Sequence, residues 1–255
     1  MYRDQPYIQK PQNEDVTIWR YLDLTKFLSL IDRRALYFCR ADKLDDPFEG
    51  SYPRANVVLR PEWYKEIPYD KVKIGLTQFL KIQRKWTVIN CWHMNECESA
   101  AMWRLYLKGD EGVAVRSTFK RLAESFRNYT ENDVYIGIVR YIDYNSEFVS
   151  ERFPITAFFT KRKSFEHERE LRALIHRIPT NEALKSGDHL YMLDPTLDLC
   201  DHGLCISVEL EVLVEKIFVS PSAPGWFADL VRAVTRKYDL GKDVIQSSLS
   251  EDPVF

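Results

Sequence analysis

The hydrophobic and polar positions of the chain switch repeatedly between a two-residue and a helical period. Val16 to Leu22 (VTIWRYL) reads as a first strand. Asp23 or Thr25 can cap the helix that follows, in which Leu24, Phe27, Leu28 and Ile31 recur at helical spacing. Ala35 to Cys39 is a second strand, and ADKLDDPFEG after it is an acidic loop or turn broken by Pro47 and Gly50. Residues 51–67, with Pro53 and Pro61, suit irregular structure. Tyr69 to Lys85 has a helical pattern, Thr87 to Trp92 a strand, and Ser99 to Leu107 a short helix capped by Glu98 or Ser99. Glu111 to Arg116 is a strand, Ser117 caps a helix to about Arg127, and Val134 to Tyr144 is one long strand. The segment NEALKSGDH is loose. Leu204 to Leu210 and Val214 to Ser220 are strands, Trp226 to Tyr238 a helix, and Asp243 to Ser247 a last edge strand. Strands and helices mix without regular βαβ units, which favours α+β over a doubly wound sheet. Residues 1–15 form a loose arm, and 16–255 a single domain.

Phe158 to Ile175 (FFTKRKSFEHERELRALI) concentrates the charges. As a strand it places Glu166, Glu168, Glu170 and Arg172 on one face, and His167, Arg169, Leu171 and Ala173 on the other. Carboxylates two apart on a strand lie about 6.5–7 Å apart at their Cα atoms, and an Arg on the same face relieves part of their repulsion. As a helix, Glu166 with Arg169 and Glu168 with Arg172 make ordinary surface ion pairs. The strand reading predicts that Glu168, Glu170 and Arg172 point into a cleft.

At 255 residues, 45% hydrophobic and 29% charged, the composition is that of a soluble globular protein. A net charge of -2 gives no bulk reason to expect nucleic acid. No apolar run reaches membrane-spanning length and the start has no signal-peptide core, so a cytoplasmic protein without membrane contact is expected. Five cysteines do not read as a disulfide framework. Cys91, His93 and Cys97 with Cys200, His202 and Cys205 could make a zinc site if the fold joins them; buried thiols are the simpler expectation, so no metal is expected. Lys81, Arg84 and Lys85 with Lys161, Arg162 and Lys163 could form a basic patch. G-x-G-x-x-G after a strand, G-x-x-x-x-G-K-[ST], H-E-x-x-H and G-x-S-x-G are all missing, which argues against a Rossmann dehydrogenase, a P-loop NTPase, a zincin and a typical α/β-hydrolase.

An ordered set of short features runs through residues 17–220. These are Trp19-Arg-Tyr21; Tyr37-Phe38 leading to Lys43-Leu-Asp-Asp-Pro-Phe-Glu49; Cys91-Trp-His; Met102-Trp103-x-x-Tyr106; Gly112-Val-Ala-Val; and Phe165-x-x-Glu168-x-Glu170-x-Arg172. The set resembles the bacterial domain-of-unknown-function family 2971, with Asp45, Phe165 and His93 standing where that family usually has Asn, Trp and Ser. That family is in turn similar to the ADP-ribosyltransferase-like superfamily. The resemblance implies a split mixed or antiparallel β-sandwich with flanking helices that takes NAD as substrate. It also implies a macromolecular acceptor, protein or nucleic acid, and a role as toxin or phage-defence effector. By the superfamily pattern, Glu170 with Glu168 before it would be catalytic, and Arg20, Tyr21, His93 and Arg172 would bind the cofactor. Asp46, Phe48, Glu49, Trp103 and Tyr106 would border the substrate. The simpler readings are a solvent-facing Arg20, a buried Tyr21 ring, a core His93 and a turn capped by Asp46. A non-catalytic nucleotide- or partner-binding module, and a nuclease holding a metal between Asp46, Glu49 and the Glu168/Glu170 pair, are the alternatives.

Overall fold

In the computed structural model the described residues are 1–63, 69–107, 109–177, 200–251 and 253. The segment NEALKSGDH lies outside them. Eleven strands are described: β1 (Thr17–Asp23), β2 (Ala35–Arg40), β3 (Thr87–Met94), β4 (Gly112–Thr118), β5 (Tyr135–Ile138), β6 (Arg140–Ile142), β7 (Thr160–Arg162), β8 (Glu170–His176), β9 (Gly203–Ser207), β10 (Lys216–Val219) and β11 (Val244–Gln246). The helices are α1 (Leu24–Arg33), α2 (Arg54–Trp63), α3 (Tyr69–Lys85), α4 (Ala100–Tyr106), α5 (Phe119–Ser125), α6 (Leu210–Leu213) and α7 (Gly225–Lys237).

The sheet is organised around β3. Along one side of β3 runs β8, in register from Thr87↔His176 to His93↔Glu170, with β5 beyond it. The other side of β3 is shared. Its end pairs with β1 (Trp19↔His93, Ile18↔Met94), and its start pairs with β2 (Cys39↔Ile89, Arg40↔Val88). From β1 the sheet continues through β4 and β10 to β11, and from β2 to β9. It therefore splits into two arms at β3, with a seam between β1 and β2. All these pairings are antiparallel except β10 with β11. The fold is thus α+β with a split, mostly antiparallel sheet.

One face of both arms encloses the main core. Ile18 and Leu22, Leu36 and Phe38, Val88 and Trp92, Val113 and Val115, and Leu171, Ala173 and Ile175 point there, each set at the two-residue period of its strand. Phe27, Leu30 and Ile31 of α1, Phe119 and Leu122 of α5, and Phe227 and Val231 of α7 pack against them. Asp23 caps α1 by accepting from the Lys26 N–H, and a left-handed Arg34 (φ 49°) closes it. The opposite face carries two smaller clusters. Trp19, Tyr21, Met102, Trp103 and Ala114 form one; Ile89, Phe158, Phe159 and Leu174 are in the other.

Several expectations need correction. Residues 54–63 are helical despite Pro61, because Pro53 stands at the start, where a missing N–H costs nothing, and Asn56 and Arg60 bond into the 149–151 segment. The strand expected from Val134 to Tyr144 is interrupted at Val139, whose N–H goes to the Glu170 carbonyl. α5 is capped by Thr118, not Ser117, whose hydroxyl is buried against the Leu213 carbonyl. Residues 208–210 leave the sheet after β9 and lead into α6. Part of the N-terminal arm is held along β5: Tyr2 bridges Val134, and the Ile138 N–H donates to Gln9.

Candidate functional site

β8 starts at Glu170, and its alternation sends Glu170 and Arg172 to the face opposite the main core. The residues before it do not extend the strand. Lys163–Glu168 is a 3₁₀ turn, and Arg169 is left-handed at φ 42°. The expected row of Glu166, Glu168, Glu170 and Arg172 on one strand is therefore halved. Only Glu170 and Arg172 share the strand face, because Arg169 breaks the extended backbone immediately before Glu170. Glu166 is exposed, while Glu168 folds back over the same cluster through Lys161.

Arg172 has no measurable exposure. Its guanidinium donates to both Glu49 oxygens (2.6 and 2.7 Å), to Glu170 Oε2 (2.9 Å) and to the Phe158 carbonyl (2.7 Å). Lys161 donates to Glu168 and lies 3.7 Å from Glu170 and 3.8 Å from Glu49. Burial, with the Glu170 carboxylate as a neighbour, pushes the Cys91 thiol well above its ordinary range. Burial alone would raise Glu170, but Arg172 and Lys161 overcome it and hold the carboxyl below its usual range. For Glu168 burial prevails over Lys161, and the carboxyl is raised.

The Asp46–Glu49 turn braces this cluster. Asp46 accepts from the Phe48 N–H (3.0 Å) and from Arg162 (2.9 Å). The Arg162 guanidinium lies over Phe48 at 4.6 Å and over Phe165 at 5.2 Å. Gly50 adopts φ 68°, and a Cβ there would sit 2.2 Å from the Phe158 ring. Asp46 and Glu49 are both buried, so they are structural ion-pair partners rather than surface ligands for a substrate. Phe48 stays 40% exposed. The basic run is likewise taken inward at Lys161 and Arg162, which form these pairs instead of a phosphate-binding patch.

The first strand comes close to Glu170. Trp19, His93 and Glu170 lie in one register row across β1, β3 and β8, so the Cα atoms of Trp19 and Glu170 are about 10 Å apart by strand spacing. His93 is buried and donates from Nδ1 to the Glu168 carbonyl (2.6 Å); burial lowers its pKa. Tyr21 is also buried. Its hydroxyl accepts from the Ser99 N–H (2.8 Å), and its ring centroid is 6.4 Å from that of His93. Arg20 shares the strand parity of the core residues Ile18 and Leu22, yet reaches into the seam. There it donates to the Cys91 and Tyr37 carbonyls, both at 3.4 Å. Burial pushes its pKa down to about 10, so it stays protonated at neutral pH.

Trp103 is core: it is buried and its indole donates to Glu98 (2.9 Å). Tyr106, at the end of the same helix, is 45% exposed; burial of its phenol, with the nearby Glu170 and Glu168, raises its pKa. Tyr37, 43% exposed, borders the seam from β2.

The expectation that Glu168, Glu170 and Arg172 point into a cleft is not met. The Glu170 side chain is 5% exposed, with Lys161 and Glu168 over it at 10% and 12%. A cleft of about 460 Å3 lies elsewhere, between α4 and the loop after β10, lined by Trp103, Arg104, Leu107, Ser220 and Ser222. A second, of about 340 Å3, lies between residues 9–13 and Arg169. Among the described residues no three His, Cys, Asp or Glu side chains are grouped to hold a metal ion. Glu49 and Glu170 instead share Arg172.

Tyr141 was not singled out by sequence at all, and Lys161, Cys91 and Tyr37 were noted only as part of a possible basic patch, a possible zinc site and a motif, not as neighbours of Glu170 or of the seam. Tyr141 Oη accepts from the Glu170 N–H (2.8 Å), a contact that no local pattern announces. Lys161 carried a signal, being the cation of its run that stands nearest the apolar Phe158-Phe159 pair.

No helix among the described residues is long and apolar enough to cross a membrane. No protein-family model and no curated protein matches the sequence. Among solved structures, the chain is similar to Thermus sp. 2.9 DarT in complex with ADP-ribosylated single-stranded DNA, at 8% identity and a TM-score of 0.40 over 94% of this chain and 96% of that one. It is similar to the same protein in complex with NAD+ at 7% identity and a TM-score of 0.40, over 94% and 98% of the two chains. A likeness of that size says nothing about this chain's chemistry.

Proposed function

We propose that this protein is an NAD-consuming transferase that delivers ADP-ribose to a macromolecular acceptor, with Glu170 as the working carboxylate. The observation that carries the reading is the charge balance around Glu170. Three carboxylates (Glu49, Glu168, Glu170) face two cations (Lys161, Arg172), an excess of one negative charge in a nearly closed cluster. Breaking the bond from nicotinamide to ribose sends its electron pair to nicotinamide and leaves an oxocarbenium-like ribosyl cation. A fixed, ionised carboxylate lowers the energy of that cation. The acceptor's nucleophile then bonds to the anomeric carbon and gives up its proton. Arg172 keeps Glu170 ionised and holds its carboxylate, Tyr141 holds its backbone N–H, and Arg20 offers a cation at the seam for phosphate. The family resemblance supports the same assignment, and a role as toxin or defence effector follows from it.

The test is to incubate the purified protein with NAD, with and without cell lysate, and to measure released nicotinamide and labelled acceptor. Glu170→Gln keeps the shape and removes the charge. Turnover should fall about a hundredfold or more, the scale for loss of one preorganised electrostatic group. Full activity in that variant would place the chemistry elsewhere.

A second reading is a non-catalytic module that binds a nucleotide or a protein partner. The near-complete burial of Glu170 favours it. Under that reading NAD or another nucleotide binds without nicotinamide release, and Glu170→Gln changes affinity alone.

A further inference from the structure

We propose that the turn Lys163–Glu168 is a lid latched shut over Glu170 by the Lys161–Glu168 ion pair, and that ligand reaches the carboxylate only when the latch opens. The proposal rests on the reading of Glu170 as the working carboxylate, and it supplies what that reading lacks, an entrance.

The segment has the anatomy of a cover. Its outer side chains, Lys163, Ser164, Glu166 and His167, are exposed, whereas Phe165 and Glu168 turn inward. Phe165 lies against the Lys161 ammonium at 4.7 Å and the Arg162 guanidinium at 5.2 Å. Glu168 closes on Lys161, and both are little exposed directly over Glu170. The attachments are few and polar. They are the ion pair, the Phe165 contacts with Lys161 and Arg162, and the His93 bond to the Glu168 carbonyl; beyond the turn, Arg169 is held by Asn95, to which its guanidinium donates (3.0 Å), and by the Met94 N–H, which donates to its carbonyl (2.9 Å). No residue of the turn is counted in the hydrophobic core, whereas the flanking residues Phe158, Phe159 and Leu171 are fully packed.

The turn also ends at a conformational joint. Arg169 is left-handed (φ 42°), a region that residues other than Gly, Asn and Asp enter rarely, and Glu170 beyond it is already extended strand. Rotation at Arg169 would move the turn while leaving β8 paired to β3. Lys161 has somewhere to go when the latch opens, because Glu49 and Glu170 lie 3.8 and 3.7 Å from its ammonium. The lid can therefore open without stranding a buried cation.

The experiment is amide hydrogen exchange on the full chain, wild type against Glu168→Gln, with NAD binding measured in parallel by calorimetry. The variant should exchange at least tenfold faster at residues 165–170, with residues 171–175 and β4 unchanged. Unchanged exchange at 165–170 overturns the lid. So does loss of protection throughout β3 and β8, because the pair would then hold the sheet rather than a cover. Lys161→Arg, which keeps the latch charge, should exchange like wild type at 165–170; faster exchange there would also count against a charge latch. The NAD reading stands or falls separately, on whether the wild type binds NAD. Faster local exchange with no NAD binding would uphold the lid and remove the ligand assigned to it.

Discussion

Arg172 joins two carboxylates that are far apart in the chain, Glu49 and Glu170, at a point with no access to water. Its worth to the fold is the cost of leaving those charges alone. Arg172→Met should destabilise the protein by about 3–5 kcal/mol, as when one partner of a buried pair is removed. Glu170→Gln leaves Arg172 its bidentate bond to Glu49 and should cost less than about 1.5 kcal/mol. Urea denaturation of the two variants separates these outcomes; equal losses would mean that Glu170, not Glu49, anchors Arg172. Gly50→Ala belongs beside them. Its positive φ and the Phe158 ring in the way of a Cβ should make it destabilising by about 1–3 kcal/mol.

At the scale of elements, strand and helix ends carry the pH response. β8 ends at His176, whose imidazole bonds Thr87 Oγ1 (2.9 Å) and is pushed down to about 4 by burial. Its unfolded value is near 6.5, so the unfolded chain binds more protons between pH 6.5 and 4. The stabilisation is complete above pH 6.5 and is lost as pH falls toward 4, with a magnitude of about 3 kcal/mol. His176→Gln should flatten that part of the stability–pH curve; an unchanged slope would contradict the burial assigned to the ring. Asp23 at the start of α1 is held at about 2, burial being outweighed by Lys26 and Thr25. Its contribution is present above about pH 4 and disappears only as pH falls through 2, so the two groups can be told apart by window.

The whole molecule turns on the division of the sheet at β3. Asn90, 1% exposed, sits where the two arms part: its amide donates to the Tyr37 carbonyl of β2 (2.8 Å), and its oxygen accepts from the Trp92 indole (2.7 Å). Asn90→Ala would leave a buried indole N–H and a carbonyl without those partners. A loss of about 2–3 kcal/mol is expected, read as a lower thermal midpoint. Because the same seam holds Arg20, any NAD binding should weaken with it. Wild-type affinity in a destabilised Asn90→Ala protein would separate the seam from the ligand site.

What the sequence determined by itself was local. Alternation in VTIWRYL and ELRALI gave the strands and their faces, since the side-chain period of a strand is fixed by the backbone. Asp23 announced the helix it caps. The composition excluded a membrane-spanning helix, and the ordered motifs selected Glu170, Arg172, Glu49 and Arg20 for attention. What only the tertiary structure decided was which charges meet. Glu49 lies 123 positions from Arg172, and Asp46 lies 116 from Arg162. No periodicity encodes such pairings, because they depend on loops brought together by the sheet. The same holds for the break at Arg169. The run FEHERE alternates well enough for a strand, but the ion pair of Glu168 with Lys161 and the bond to His93 hold it as a turn. Local pattern sets the direction of a side chain, and long-range packing decides whether it meets water, a partner or a lid.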